Sequence, residues 1–263
     1  MPANRRDIAP PKQAGSKGKT SCRALSTPRL APISVVLGMG EVGRALANVL
    51  SSEYQIVGKD IEPAELPERC MVLHVCLRYG PTWLKTVLDV ASHCRPTIID
   101  VCSTVPPGTT ETLGGNACHS TTRGLHPNLE GSTMAFVKHI GGPRAWMLAE
   151  YYAKAGVATV KHAKAKTTEL AHILSNTLYG VNIMYADEMY GLCRKYGVDY
   201  NEAVTHYTMT SNEGYAKLGY SSKMRFVLIP PNGKIGGHCV AHGARLIPAD
   251  MRGPMLESLA RMA

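Results

Sequence analysis

The chain has 263 residues and a net charge of +9, from 29 basic and 20 acidic side chains. Apolar residues make up 44% and charged residues 19%, and no apolar run is long enough to span a membrane. This composition excludes a transmembrane helix, a wholly disordered chain, a collagen and a coiled coil.

The charge is unevenly placed. Residues 1–32 hold seven basic residues (Arg5, Arg6, Lys12, Lys17, Lys19, Arg23 and Arg29) against the single acid Asp7, which is +6 of the +9. The segment is rich in Pro, Ser, Gly and Ala and has no apolar period, so it reads as a disordered basic tail. It is either an extension without a role, a weak arm for anionic partners, or an organelle transit sequence. No apolar signal-peptide core is present. The eight cysteines are scattered without a CxxC pair, which points to reduced thiols in a cytosol-like compartment and to no metal site.

Ile33–Leu37 is a β-branched run suited to a buried parallel strand. It leads into Gly38-Met39-Gly40-Glu41-Val42-Gly43, and helical spacing follows from Arg44 to Leu50. A strand before and a helix after give this GxGxxG the context of a dinucleotide site. Gly38 permits the tight turn, Gly40 lets a pyrophosphate approach the backbone, and Gly43 lets helix and strand pack closely. A second strand, Tyr54–Gly58, ends just before Asp60, a carboxylate placed to accept both ribose hydroxyls and to repel a 2′-phosphate. NAD is therefore expected over NADP, although Arg44 and Lys59 weaken the preference.

Strands are expected at Met71–Cys76 and Thr97–Cys102, with a helix from Pro81 to about His93. About ten residues separate Asp60 from the third strand, too few for a normal crossover helix. The expected fold class is α/β: a Rossmann-type doubly wound parallel sheet at 33–162, followed by a smaller α-helical domain at 163–263.

Ser103-Thr-Val-Pro-Pro-Gly-Thr-Thr-Glu111 closely resembles the STVPPGTT segment of the UDP-glucose/GDP-mannose dehydrogenase family. Glu169–Asn176, continuing through Val181–Glu188, is similar to its central helix, and Pro231–Cys239 to its cysteine loop. The resemblance implies NAD-linked oxidation of a sugar alcohol. It implies Cys239 as the nucleophile, Asn176 as an anchor for the reacting oxygen, and Thr104 and Ser103 beside the nicotinamide. Gly236, Gly237 and His238 would face the substrate. The family lysine falls on His172, whose imidazole has to polarise an oxygen or shuttle a proton in its place. The family aspartate falls on Gly243, and its glutamate on Asn128, with Glu130 nearby. The family continues into a nucleotide-sugar-binding domain, and the resemblance here covers only the NAD-binding and central regions.

Arg123–Pro127 also resembles the His-Pro segment of prephenate dehydrogenases, which makes His126 either a substrate contact or a turn residue. The helix opening at Thr167/Thr168 carries an apolar stripe interrupted by Gly180, and the resemblance implies a homodimer through residues 168–195. Lys161, Lys164 and Lys166 either hold an anionic substrate or lie on a solvated loop. Cys70, Cys76, Cys94 and Cys102 read as buried spectators. The expected partner is a small, possibly anionic, substrate, with no nucleic acid or membrane involved. A second expectation, of another class, is a dinucleotide-binding protein without turnover.

Overall fold

A computed structural model of the protein describes residues 31–62, 64–229 and 238–262, with the backbone alone at His238 and Cys239. Residues from Ala31 onward fall in one compact unit. The basic tail, Gly236, Gly237 and the side chains of His238 and Cys239 lie outside the described residues.

Seven strands form one sheet in the order β2-β1-β3-β4-β5-β6-β7. The strands are β1 (Ile33–Leu37), β2 (Gln55–Lys59), β3 (Val72–Val75), β4 (Ile98–Val101), β5 (Ala117–His119), β6 (Lys138–Gly141) and β7 (Thr159–His162). The first five run parallel. β6 then pairs antiparallel with β5, with His119 opposite Gly141, and β7 runs parallel to β6. The all-parallel sheet expected from the sequence is thus mostly parallel, with two reversed strands at one edge. Among the described residues between β2 and β3 there is no helix, as their short spacing requires.

Helices cover both faces because the strands are apolar on both faces. On one face α1 (Glu41–Leu50) and α4 (Ala145–Lys154) bury Leu46, Leu50, Leu148 and Tyr152 against Val72, Ile98 and Ile140. On the other, α2 (Trp83–Cys94) packs Trp83 and Val87 against Leu37, Leu73, Val75 and Val101. A short helix, α3 (Leu129–Ala135), lies beside α1.

The sheet centre also holds a polar cluster that the sequence reading did not anticipate. Asp100 of β4 accepts hydrogen bonds from His74, Ser120 and Tyr152, and the Tyr151 hydroxyl reaches Ser34 at 2.9 Å. His74 and Asp100 are fully buried, 2.8 Å apart. Burial pushes the Asp100 carboxyl upward, but the His74 hydrogen bond and charge prevail and hold it at about 2. Burial likewise opposes the charge on His74, and the Asp100 hydrogen bond leaves its pKa raised. Each member supplies the partner the other needs out of water.

The 32-residue α5 (Ala165–Tyr196) starts three residues before Thr168 and continues through Gly180. It packs on β5, β6 and β7 and on α7 (His238–Arg245) and α8 (Pro254–Arg261), while α6 (Tyr207–Lys217) follows a six-residue π-helical segment. Lys161 lies in β7 and Lys166 within α5, so the three lysines do not form a loop cluster. No helix among the described residues is long and apolar enough to cross a membrane. Cys70, Cys76, Cys94, Cys102, Cys118 and Cys193 are all unbridged thiols.

Candidate functional site

The glycine turn has the geometry its sequence requires. Gly38 has φ +98°, and a Cβ there would come within 2.9 Å of the Cys76 carbonyl carbon. A Cβ on Gly43 would lie 1.9 Å from the Gly38 oxygen, so only glycine permits this approach of helix to strand. A Cβ on Gly40 would meet nothing within 4 Å. The space before Gly40 is open at the N-terminus of α1, where N–H donors and the helix dipole favour an anion. A dinucleotide pyrophosphate therefore fits these residues.

Around the turn, Asp60 Oδ2 accepts the Met39 N–H at 2.8 Å and Oδ1 accepts that of Ile61 at 2.9 Å. Asp60 is exposed, and its remaining lone pairs stay available to hydroxyl donors. Arg44 donates to the Met39 carbonyl at 2.7 Å and Lys59 to those of Asp60 and Glu62, so both cations fold back on the backbone. The Met39 side chain packs over Gly58, and Val42 lines the adjoining cleft. Glu41 meets His126 Nδ1 at 2.7 Å, which ties the loop after β5 to the start of α1.

That cleft holds about 790 Å³ of empty space, counting its open mouth, and Arg78, Tyr79, Cys102, Thr104 and His242 line it with Val42. Cys76 lines it too and is only partly buried, which corrects its reading as a buried spectator, whereas Cys70, Cys94 and Cys102 are buried as expected. The Ser103 side chain is buried and committed, donating to the Val75 carbonyl at 3.1 Å and accepting from Trp83 Nε1 at 3.3 Å. Arg78 and His242 were missed in the sequence. The signal for Arg78 was its place just beyond a parallel strand, where such sheets bind ligands.

Three of the four expected catalytic side chains converge. His172 Nε2 lies 3.1 Å from Thr104 Oγ1 and 3.1 Å from Asn176 Nδ2. His172 and Asn176 are four residues apart and share one face of α5, while Thr104 arrives from the end of β4. The Asn176 amide donates to Nε2, which leaves the imidazole neutral with its proton on Nδ1. Burial, then the charges of Lys138 and Arg123, push the His172 pKa down to about 4. The fourth side chain, Cys239, lies outside the described residues.

Asn128 and Glu130 both have local hydrogen-bond partners. Asn128 is the N-cap of α3, accepting the Gly131 N–H at 3.3 Å, and Glu130 accepts from Asn48 Nδ2 at 3.1 Å. The position of Asn128 at the helix start decides its partner. Behind the triad stands fully buried His119, whose Nδ1 lies 2.8 Å from Thr168 Oγ1. Its Nε2 has no hydrogen-bond partner among the described residues, and burial drives its pKa down to about 3.

Residues 166–253 match the central domain of the UDP-glucose/GDP-mannose dehydrogenase family. Among solved structures, the chain is similar to UDP-D-ManNAc dehydrogenase from Pyrococcus horikoshii, with TM-score 0.69 and 21% identity over 88% of this chain and 68% of that one. It is also similar to 3-hydroxyisobutyrate dehydrogenase from Mycobacterium tuberculosis, with TM-score 0.65 and 16% identity over 87% of this chain and 91% of that one. A UDP-glucose dehydrogenase from Pyrobaculum islandicum matches with TM-score 0.58 and 19% identity, over 84% and 64%. At these identities the structural likenesses show a shared fold. No curated protein sequence matches the chain.

Proposed function

We propose that this chain, which carries the central domain of the UDP-glucose/GDP-mannose dehydrogenase family, is a nicotinamide-dependent oxidoreductase acting on a hydroxyl-bearing carbon. The observation that carries the reading is that one cleft is lined both by Val42 of the glycine turn and by Thr104 of the triad. Gly38, Gly40, Gly43 and Asp60 would hold the dinucleotide, which when bound accepts hydride. Asp60, aimed from the end of β2, favours NAD over NADP. Thr104 and Asn176 orient the His172 imidazole, which stays neutral above about pH 4 and can take a proton at Nε2 from a substrate hydroxyl that displaces the Asn176 amide there. Cys239, in the first turn of α7, is assigned the nucleophile role that the family resemblance implies. Names among the structural neighbours include nucleotide-sugar and hydroxy-acid dehydrogenases, which supports a small polar substrate. The exposed apolar positions of α5 support a homodimer, and the compartment is proposed to be the cytosol.

The test is equilibrium NADH binding by the full chain, then NADH production with UDP-sugars, GDP-mannose, prephenate and small hydroxy acids. His172→Ala is expected to keep NADH binding and to lower turnover by roughly 10²-fold or more. Failure to bind NADH or NADPH would sink the reading. A second reading, dinucleotide binding without turnover, is favoured by one observation: Glu130 and Asn128 are engaged away from the triad. Tight NADH binding with no activity on any of these substrates would support it.

A further inference from the structure

His74 of β3 and Asp100 of β4 stand opposite each other in the sheet, and the register carries on past the strand ends, where the Cys102 N–H donates to the Val75 carbonyl at 2.9 Å. Cys76 and Cys102 are therefore neighbours across the strands. Side chains two apart in a strand share a face, so His74 with Cys76 and Asp100 with Cys102 form a square of four metal-ligand types. Along the chain the cysteines make no CxxC pair; across the strands these two do. Both pack in the core beneath α1 and α4, with Tyr151 and Tyr152.

Three corners of the square already converge. His74 Nδ1, Asp100 Oδ2 and Cys102 Sγ lie within 4.8 Å of one another, and no other group of three such side chains does so among the described residues. Cys102 Sγ is 3.4 Å from Asp100 Oδ2, and His74 Nδ1 is 2.8 Å from the same oxygen. Ligands about 2.0–2.3 Å from a tetrahedral ion lie roughly 3.3–3.7 Å from each other. The Cys102 spacing meets that, and His74 and Asp100 would part by about half an ångström once the proton between them leaves. Their outer atoms are held as well. The Tyr151 hydroxyl donates to Ser34, so His74 Nε2 donates to that hydroxyl at 3.1 Å, and Asp100 Oδ1 accepts from Ser120. This fixes the tautomer that ligates through Nδ1. A hydrogen-bonded pair accounts for His74 and Asp100 alone; it gives no reason for a thiol as third member with another beside it.

We propose that His74, Asp100 and Cys102 bind one Zn²⁺, with Cys76 turning in from the cleft side as the fourth ligand. An imidazole, a carboxylate and two thiolates suit four-coordinate zinc, whereas Mg²⁺ and Ca²⁺ take oxygen ligands. Entry is through the cleft that both cysteines line. Binding changes no oxidation state: the ion replaces the Nδ1 proton of His74 and the thiol protons of Cys102 and Cys76, which pass to solvent. Without the ion, the Cys76 contact, burial and the Asp100 charge hold the Cys102 thiol well above its ordinary pKa, and a dication reverses that balance. The ion would tie β3 to β4 just before Thr104, the residue that meets His172. The site stands independently of the dehydrogenase reading.

The test adds Zn²⁺ alone, and separately Co²⁺ alone, to the full chain stripped of metal by a chelator and kept reduced. Calorimetry is expected to show one Zn²⁺ per chain with release of protons, read from two buffers of different ionisation enthalpy. Co²⁺ should give a thiolate charge-transfer band and the strong visible bands of a tetrahedral ion. Zn²⁺ affinity should fall roughly tenfold or more in Cys102→Ser and in Cys76→Ser. Two controls should match the wild type: Cys239→Ser, and His139→Gln, which breaks the exposed pair whose ring nitrogens lie 2.9 Å apart on His139 and His162. If Cys102→Ser fails to fold, partly buried Cys76→Ser and the wild-type cobalt spectrum decide. No Zn²⁺ binding, a cobalt spectrum without the thiolate band, or unchanged affinity in a folded cysteine variant overturns the site. Loss of binding in a control places the ion elsewhere and overturns it too. Two thiols missing from the unreduced protein, with no Zn²⁺ bound after reduction, would make Cys76 and Cys102 a redox pair instead.

Discussion

Glu169, 1% exposed near the start of α5, accepts the backbone N–H of Thr110 at 2.8 Å, and its other oxygen accepts that of Gly108. One carboxylate thus fastens the loop after β4 to the long helix, and so places Thr104 opposite His172. Glu169→Ala would leave one buried and one partly buried donor unpaired and is expected to destabilise the fold by about 3 kcal/mol. Glu169→Gln keeps one carbonyl acceptor and should lose about half of that. Urea denaturation of the two variants checks the order. A loss below about 0.5 kcal/mol in Glu169→Ala would show that the loop is held otherwise.

The glycine turn separates a folding requirement from a binding one. Gly43→Ala places its Cβ 1.9 Å from the Gly38 carbonyl oxygen, which must shift the turn or the helix, and a melting-temperature loss of several degrees is expected. Gly40→Val meets no protein atom at its Cβ within 4 Å, so the fold should tolerate it. The same side chain fills the space before the helix N-terminus, and NADH affinity should fall at least tenfold. Equal NADH affinity in Gly40→Val and wild type would remove the pyrophosphate from this turn.

What the sequence disclosed and what it withheld follow from the range of the interactions. The glycine turn, β1 and the missing crossover helix depend on neighbours within one βαβ unit, and they were legible. Gly180 was read as a weakness in α5. In the structure a Cβ there would stand 2.3 Å from Val240 Cγ1 and 2.9 Å from Leu259 Cδ2, so the glycine admits α7 and α8 against the helix. That reason lies some 60 to 80 residues away in the chain. Lys138 was passed over likewise: a lysine opening a short strand normally faces water, and only the reversal of β6 puts it beside Thr122 and Tyr152. The His172–Thr104–Asn176 contact was anticipated through the family resemblance, since no local period joins residue 104 to residue 172.

Buried His119 and partly buried His172 should make the fold acid-labile. His119 is held to about 3 and His172 to about 4, against roughly 6.5 in an unfolded chain. As pH falls below about 6.5 the unfolded chain takes up these protons first, so stability is full above that pH and is lost toward pH 4 and then 3. The slope is about 1.4 kcal/mol per pH unit for each group. His74 acts in the opposite sense: its raised value adds stability on the acid side that fades as pH rises through it. Comparing one variant with the wild type cancels that contribution. His119→Asn should shrink the stability difference between pH 7 and pH 4.5 by about 2–3 kcal/mol in urea titrations. An unchanged difference would mean that His119 is charged in the folded protein.

Along α5, Leu170, Leu174, Leu178, Tyr185, Leu192 and Tyr196 are all exposed, at intervals of four or seven residues. Those spacings put them on one stripe of the helix. The opposite side is already occupied, with Ile173, Thr177 and Gly180 buried and Val181 and Met184 packed against Val240 and Leu259. The proposed homodimer would form on this stripe of the 32-residue helix, a second copy of the same helix laid against it giving the closed symmetry usual for such pairs. The expected outcome is a dimer in sedimentation equilibrium at micromolar protein. Leu174→Glu combined with Leu178→Glu should shift the protein to monomer, because two carboxylates would have to be buried at each copy's centre of contact. Circular dichroism should be unchanged, since neither side chain packs into the fold of its own chain. A wild-type monomer at these concentrations, or a double variant that stays dimeric, would remove α5 as the dimer surface.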